Sequence, residues 1–183
     1  FAQIEGFSEY GFPESHAASF ALLAYVSGWL KCHEPAAFCC ALLNSLPMGF
    51  YSASQLIQDV RRHDVTVLPV DAQVSQWLCT LEEIGQSQPA IRLGFVMING
   101  LGQEAGEQLA ACRPADGYQS TEDLQQRSRL STRELGVLAK ANALTSLAGH
   151  RRQAWWQVRG LDAGIGLTAG TMTLDATPEL PAL

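Results

Sequence analysis

Residues Val96–Ala105 read Val-Met-Ile-Asn-Gly-Leu-Gly-Gln-Glu-Ala, an apolar run that enters a Gly-x-Gly turn and continues into a helix-forming segment. Glycine adopts positive φ without a clash at Cβ, so Gly100 and Gly102 permit a tight turn here. Such a turn exposes the amides of the loop and of the first helical turn, which bind phosphate together with the helix dipole. The same stretch is also compatible with a turn that only joins two packed elements.

The charged residues are distributed unevenly along the 183-residue chain, whose net charge is −6. Residues 1–85 carry a net charge of −6 and residues 161–183 a net charge of −3, whereas residues 86–160 hold nine basic and six acidic residues. Between positions 127 and 159, seven basic residues accompany a single acidic one, Glu134. This local excess indicates a phosphate-binding surface, although a solvated helix face has the same composition.

The composition restricts the class of protein. Five cysteines occur without a Cys-x-x-Cys pair, which favours buried, reduced thiols over a zinc site and predicts a cytoplasmic location. The apolar run 17–30 is too short to span a membrane, so we predict a core helix that is buried on most of its faces. Because the chain starts at Phe1 with no initiator Met, we expect it to be a piece of a longer protein.

The remaining pattern predicts a mainly α-helical chain with a small β region. Runs rich in β-branched and apolar residues predict strands within 65–70, 77–81 and 90–96. Asn142 interrupts a helical run at a position that suits a left-handed turn, so two helix-turn-helix units lie in tandem. The last helix is predicted over 150–159. Residues that favour helix starts stand at Ser15, Pro35, Ser52, Ser120 and Ser131.

Longer stretches carry a resemblance to a known family. Tyr10-Gly-Phe-Pro-Glu-Ser-His-Ala-Ala-Ser-Phe-Ala21 and Pro47-Met-Gly-Phe-Tyr51 are similar to the fingers of bacterial C-family DNA polymerases, and most of all to their error-prone polymerase III alpha subunits. Asn99-Gly-Leu-Gly102 and Lys140-Ala-Asn-Ala-Leu144 resemble the tandem helix-hairpin-helix region that follows the fingers. Further similar stretches are 29–31, 34–38, 41–45 and 91–94.

The resemblance implies an order of domains. Residues 1–64 would be a helical fingers portion, 65–96 a small β-containing junction, 97–160 a tandem helix-hairpin-helix DNA-binding domain, and 161–183 a linker or disordered tail. Its function would be that of a non-catalytic fragment of an error-prone, translesion DNA-directed DNA polymerase that grips duplex or primer–template DNA. The parent enzyme would use Mg²⁺ held by palm carboxylates, whereas we find no candidate palm, catalytic residue, metal ligand or cofactor site in this chain.

The resemblance also implies particular contacts. The hairpin would bind phosphate through Gly100, Leu101, Gly102 and Gln103. The electrostatic candidates are Arg127, Arg129, Arg133, Lys140, Arg151 and Arg152. A nucleotide in the fingers would contact Ser15, His16 and Lys31, which are equally explained as a helix cap and as packing or solvated residues. Glu14, Asn99 and Asn142 depart from the basic or glycine residues of the family, so we expect weak and salt-dependent DNA binding.

Two alternatives remain open at this point. The helical surface or the tail would make the chain a protein-interaction module that docks accessory proteins of the damage-tolerance polymerase complex. An independent helix-hairpin-helix repair protein is the other possibility, and the stretches that resemble polymerase fingers argue against it. Neither alternative requires a membrane.

Overall fold

The computed structural model describes residues 14–167, and it describes side chains for residues 16–158. The fold is mostly helical with one small sheet, as the sequence predicts. The α-helices are α1 (Glu14–His33), α2 (Pro35–Asn44), α3 (Ala53–Arg61), α4 (Gln103–Ala111), α5 (Thr121–Ser128), α6 (Thr132–Lys140), α7 (Thr145–Ala148) and α8 (Arg151–Leu167). The strands are β1 (Val67–Leu68), β2 (Thr80–Glu82) and β3 (Ala90–Arg92), and a 3₁₀ helix covers Phe95–Met97.

The helix starts follow their sequence signals closely. Pro35 occupies the first turn of α2. Ser52 and Ser131 each form a capping box, in which the hydroxyl accepts a backbone N–H three residues on and a Gln or Glu side chain reaches back. Ser120 caps α5 by accepting the N–H of Asp123. These local predictions are confirmed because each depends only on residues within one helical turn.

The sheet has the order β1-β3-β2, with β1 parallel and β2 antiparallel to β3. Its strands are shorter than the sequence predicts, and the last part of the 90–96 run is a 3₁₀ helix instead. The reason is a close approach of two backbones, since a Cβ on Gly94 would lie 2.3 Å from the carbonyl carbon of Leu78. There the N–H groups of Phe95 and Val96 donate to carbonyl oxygens in the segment before β2, rather than to a neighbouring strand.

Two clusters of buried side chains form the core. The first joins α2 and α3 to the sheet through residues such as Leu43, Val60 and Ile91. The Asn44 amide ties α2 to this sheet, donating to the carbonyl of Cys79 at 2.9 Å and accepting its N–H at 2.8 Å. The second cluster fills the space among α4, α5, α6 and α8. Its members include Phe95, Leu109, Leu124, Leu135, Leu138, Leu144 and Val158.

The prediction that the first helix is buried on most faces is wrong. Along α1, Phe20 is 57% exposed, Leu23 60% and Tyr25 72%. A helix that is apolar all round needs partners on several sides, whereas α1 packs mainly on α2 within residues 14–167. The start of α1 also differs from the prediction, because the helix begins at Glu14 and Ser15 therefore lies inside it rather than at its cap.

The last helix extends further than expected. It continues to Leu167 instead of ending at 159, so the first residues of the predicted linker have helical backbone. The helix-forming residues Leu161 and Ala163 favour this extension against the glycines around them. The rest of the predicted tail, 168–183, lies outside the described residues. None of the helices in residues 14–167 is long and apolar enough to cross a membrane.

Candidate nucleic-acid interface

The first hairpin joins the 3₁₀ helix to α4 through a turn at Gly100. Gly100 has φ of +89°, which a residue with a side chain rarely adopts. Gly102 has φ of −73° and ψ of 154°, so the expectation that both glycines use positive φ is wrong for this residue. One left-handed residue reverses the chain here, and Gly102 then serves as the extended N-cap of α4. Leu101, 7% exposed, anchors the turn in the core, and its N–H already donates to the carbonyl of Ile98, so it offers little to a ligand.

The N-terminus of α4 is open to solvent. Gly102, Gln103 and Glu104 are exposed, and no side chain caps this helix. A Cβ placed on Gly102 would meet no heavy atom within 4 Å. The first amides of a helix have no acceptor within that helix, and they lie at the positive end of its dipole. This end of α4 therefore offers donors and space to an anionic group such as a phosphate.

The second hairpin, between α6 and α7, is built differently. Asn142 has φ of 63°, which confirms the predicted left-handed turn. The helix that follows, α7, is only four residues long. The hydroxyl of Ser146 in α7 donates to Asp71 Oδ1 at 2.6 Å, so a carboxylate already lies beside this hairpin. A phosphate would meet that negative charge, as it would meet Glu104 in the first turn of α4. The second hairpin is the poorer anion site because most N–H groups of α7 already donate to the carbonyl oxygens of Asn142 and Leu144.

Several basic residues of the 86–160 block serve the fold itself. Arg92 binds Glu82 at 2.8 Å and lowers the pKa of that carboxyl. The guanidinium of Arg113 donates to the carbonyl oxygens of Ala72 and Ser75. The apparent excess of charge is therefore smaller than the sequence count indicates.

Arg127, one of the electrostatic candidates, already has an acidic partner. Its Nε lies 2.5 Å from Asp123 Oδ1, and this hydrogen bond raises the pKa of Arg127 and lowers that of Asp123. A pair four residues apart on one helix is a local contact that the count between 127 and 159 overlooked. Arg127 is thus the weakest of the six candidates for phosphate binding.

The other five cationic candidates are exposed. Within residues 16–158, none of them lies within 4.0 Å of a carboxylate. They are Arg129, Arg133, Lys140, Arg151 and Arg152. Exposed cations that lack an acidic neighbour are the groups that phosphates recruit.

Three of these five cations share one pocket with two tryptophans. Lys140, Arg151 and Arg152 line a cavity of about 530 Å³ together with Trp155 and Trp156. Lys140 Nζ lies 5.3 Å from the ring centroid of Trp155. Sequence reasoning assigned Trp155 to an apolar side and did not consider Trp156. The spacing Arg-x-x-x-Trp, which occurs twice in 151–156 and places each pair on one helix face, was the available signal.

Comparison with known proteins agrees with this geometry. Residues 64–154 match the family model described as "Helix-hairpin-helix motif", which covers both hairpins and also the sheet. Over 182 residues the chain is 52% identical to "Error-prone DNA polymerase" of Alkalilimnicola ehrlichii and 54% identical to that of Pseudomonas aeruginosa, covering 100% and 99% of this chain. Over 164 residues, which are 87% of this chain, it is 57% identical to the "Error-prone DNA polymerase" of Azoarcus sp.. Nearly the whole chain is therefore similar to one segment of these error-prone DNA polymerases.

The matches cover only part of each error-prone polymerase. This chain spans 18% of the Alkalilimnicola ehrlichii and Pseudomonas aeruginosa proteins and 15% of the Azoarcus sp. protein. It therefore corresponds to less than a fifth of each of those proteins.

The nucleotide contacts that polymerase fingers would supply lie along α1. Lys31 Nζ forms an ion pair with Asp59 at 2.9 Å, which lowers the pKa of Asp59, and His16 packs edge-on against Phe20. The helical rise of 1.5 Å per residue separates His16 from Lys31 by about 22 Å. These two residues therefore do not meet at one small ligand. The side chain of Ser15 lies outside the described part, so its role stays a prediction.

No group of three or more His, Cys, Asp or Glu side chains that could hold a metal ion occurs among the described residues. The described residues therefore offer no fitting site for the Mg²⁺ that is implied for the parent polymerase. Burial raises the pKa of Cys39 and of Cys40 to about 11, so both thiols stay protonated at neutral pH. They act as small apolar groups in the first core cluster.

Proposed function

We propose that this chain is a non-catalytic DNA-binding segment of an error-prone, translesion DNA-directed DNA polymerase, and that it grips duplex or primer–template DNA through phosphates. The observation that carries the proposal is a combination found in one half of the chain. Five exposed cations, which have no acidic partner among residues 16–158, accompany a helix N-terminus whose amides are uncapped. All five cations and this helix N-terminus lie within residues 64–154, which match the helix-hairpin-helix family model. The helix α8 continues beyond that region.

The proposed contacts are unequal. At the first hairpin, the turn at Gly100 directs the N-terminus of α4 toward the phosphate, and the absent side chain of Gly102 lets the backbone approach. At the second hairpin, Asp71 opposes an anion, so the cations of α6 and α8 supply the attraction there. Phosphate contacts fix position and carry no sequence information directly, so we expect little dependence on DNA sequence.

The domain order belongs to the same proposal. Residues 1–64 form a fingers portion, 65–96 a β-containing junction and 97–160 the tandem helix-hairpin-helix domain. The two core clusters support it, since the sheet packs with α2 and α3 while the hairpins share the other cluster. Ala72 and Phe95 from the junction enter the hairpin cluster, so the junction fixes the hairpins to the helical half. We propose a cytoplasmic location from the polymerase relatives.

The test is a titration of a fluorescently labelled duplex with the purified chain, followed by anisotropy. Reversing Arg151 and Arg152 to Glu should weaken binding strongly. The matched control reverses Arg61 and Arg62, an exposed pair at the end of α3 that carries no proposed contact. Equal losses in the two double variants would show that only net charge matters and would reject the assigned surface.

A second proposed function is docking of a protein partner, such as an accessory protein of the polymerase complex. The specific observation is the apolar surface of α1, where Phe20, Leu23 and Tyr25 are exposed. Six large apolar side chains are exposed between positions 20 and 29, and apolar surface on this scale marks protein interfaces. Calorimetric titration with purified accessory proteins tests it. Leu23→Lys should remove partner binding and spare DNA binding, whereas the Arg151 and Arg152 reversals should do the opposite.

A further inference from the structure

The basic–aromatic pocket, formed by Lys140, Arg151, Arg152, Trp155 and Trp156, has features that a duplex-phosphate site does not need. It lies between the C-terminal end of α6 and the first turns of α8. The ring of Trp155 packs on α6, where a Cβ on Gly136 would lie 3.4 Å from it. Lys140 then lies over the Trp155 ring. This arrangement makes one wall of the pocket.

Trp156 forms the open side of the pocket. It is 60% exposed, although tryptophan is among the side chains that gain most from burial. Arg152 precedes it by one helical turn, and thus a guanidinium and an indole share one face of α8. Among the side chains that the structure describes, the pocket lining holds three cations and no acidic residue. Its volume of about 530 Å³ falls within the range of ordinary small-ligand sites.

The chemistry of this lining selects a ligand that is both anionic and flat. Phosphates satisfy the cations, and a base has a π-face that stacks on an exposed indole. In an intact duplex the base faces stack on one another, so only an unpaired base can reach Trp156. An acidic peptide would satisfy the cations but would leave the indole uncovered.

We propose that the basic–aromatic pocket binds an unpaired nucleotide of single-stranded DNA, with its base stacked on Trp156 and its phosphates held by Lys140, Arg151 and Arg152. The pocket begins two residues before Asn142, so it adjoins the second hairpin, where Asp71 disfavours a backbone phosphate. The cations of the pocket would thus hold the phosphates of a duplex or of a single strand, whereas Trp156 adds a base contact that only a single strand can make. The inference rests on the proposed function only for the choice of DNA as ligand.

The experiment compares three labelled probes of equal length on the full 183-residue chain: a blunt duplex, an oligothymidylate, and an abasic strand that has the same phosphates without bases. Wild type should bind oligothymidylate more tightly than the abasic strand. Trp156→Ala should lower affinity for oligothymidylate about tenfold, the usual cost of a lost base–aromatic stack, and abolish that preference. Trp156→Phe should restore part of it, and duplex binding should be unchanged in both variants. The thermal midpoint serves as the folding control, since Trp156 is mostly exposed.

Other outcomes overturn the inference. Equal affinity of wild type for oligothymidylate and the abasic strand would show that the pocket binds phosphates only and makes no contact with a base. Competition by an acidic peptide as effective as that by oligothymidylate would assign the pocket to a protein partner. Failure of the duplex proposal is a separate result, because it would appear with the blunt probe and leave the difference between the two single strands intact.

Discussion

Replacing Gly102 by Asp should make the fold more stable and DNA binding weaker at the same time. Gly102 is the N-cap of α4, with the extended backbone that N-cap residues adopt, and a side chain there meets no other atom. An Asp carboxylate would accept an amide hydrogen of the first turn of α4. It would therefore place a fixed negative charge where the proposed function puts a phosphate.

The two effects have opposite sign and different size. Asp is a better N-cap than Gly by a few tenths of a kcal/mol, and the helix dipole adds about 0.3–1 kcal/mol. We expect the free energy of unfolding to rise by about 0.5–1 kcal/mol. For DNA, the variant loses a charged hydrogen bond, about 1.5–3 kcal/mol, and adds repulsion of about 1 kcal/mol at 4 Å in water. The affinity for duplex should fall about 100-fold.

Urea unfolding and duplex anisotropy at one pH and salt concentration measure the two effects. Gly102→Asn is the matched control, because Asn caps a helix as well as Asp does but carries no charge. It should share the gain in stability and lose less affinity. Gly102→Ala leaves the amides uncapped and adds a methyl group without charge, so it should lose less affinity for duplex than the Asp variant does. An Asp variant that is more stable yet binds duplex with unchanged affinity would refute the assignment of these amides to a phosphate.

Three further predictions concern the fold around the site. Asn142→Val should lower the free energy of unfolding by about 1–2 kcal/mol because its φ of 63° is left-handed, whereas Asn142→Gly should not; urea unfolding decides between them. Hydrogen bonding to Arg92 lowers the pKa of Glu82 in the folded protein. The stability that this pair contributes is therefore present above the ordinary Glu pKa and is lost as the pH falls through the lowered pKa of the folded state. Wild type and Glu82→Gln should therefore converge in stability at acid pH, and a constant difference would contradict this. Iodoacetamide should modify the exposed Cys32 well before the buried Cys40, whose pKa burial raises to about 11; mass mapping that finds Cys40 first would contradict the packing.

The parts of the fold that the sequence predicts well are those set by neighbouring residues. The capping boxes at Ser52 and Ser131 and the left-handed turn at Asn142 depend on hydrogen bonds and φ values within a few residues. The site residues are harder to predict, because charge alone does not say which cations are already paired. Arg127 is less available to a phosphate than its charge indicates, because it pairs with Asp123, four residues earlier on the same helix.

The errors arise where packing between distant segments decides the structure. An apolar helix is predicted to be buried, but α1 has only one main neighbour within residues 14–167. The third strand ends early because Gly94 meets the backbone near Leu78, a contact between segments that are separate in sequence. Trp156 was overlooked for a related reason, since an aromatic residue in a helix is read as core until its exposure is known.

The salt dependence of duplex binding tests the central claim most directly. Labelled primer–template duplex is titrated with the chain at a series of salt concentrations, and the slope of log K against log salt is measured. Each phosphate neutralised by Lys or Arg contributes about 0.9 to that slope, so the five exposed cations limit it to about 4.5. We expect binding at low salt with a slope of about 2 to 4.5. Absence of binding at low salt, or binding that salt does not weaken, would contradict it.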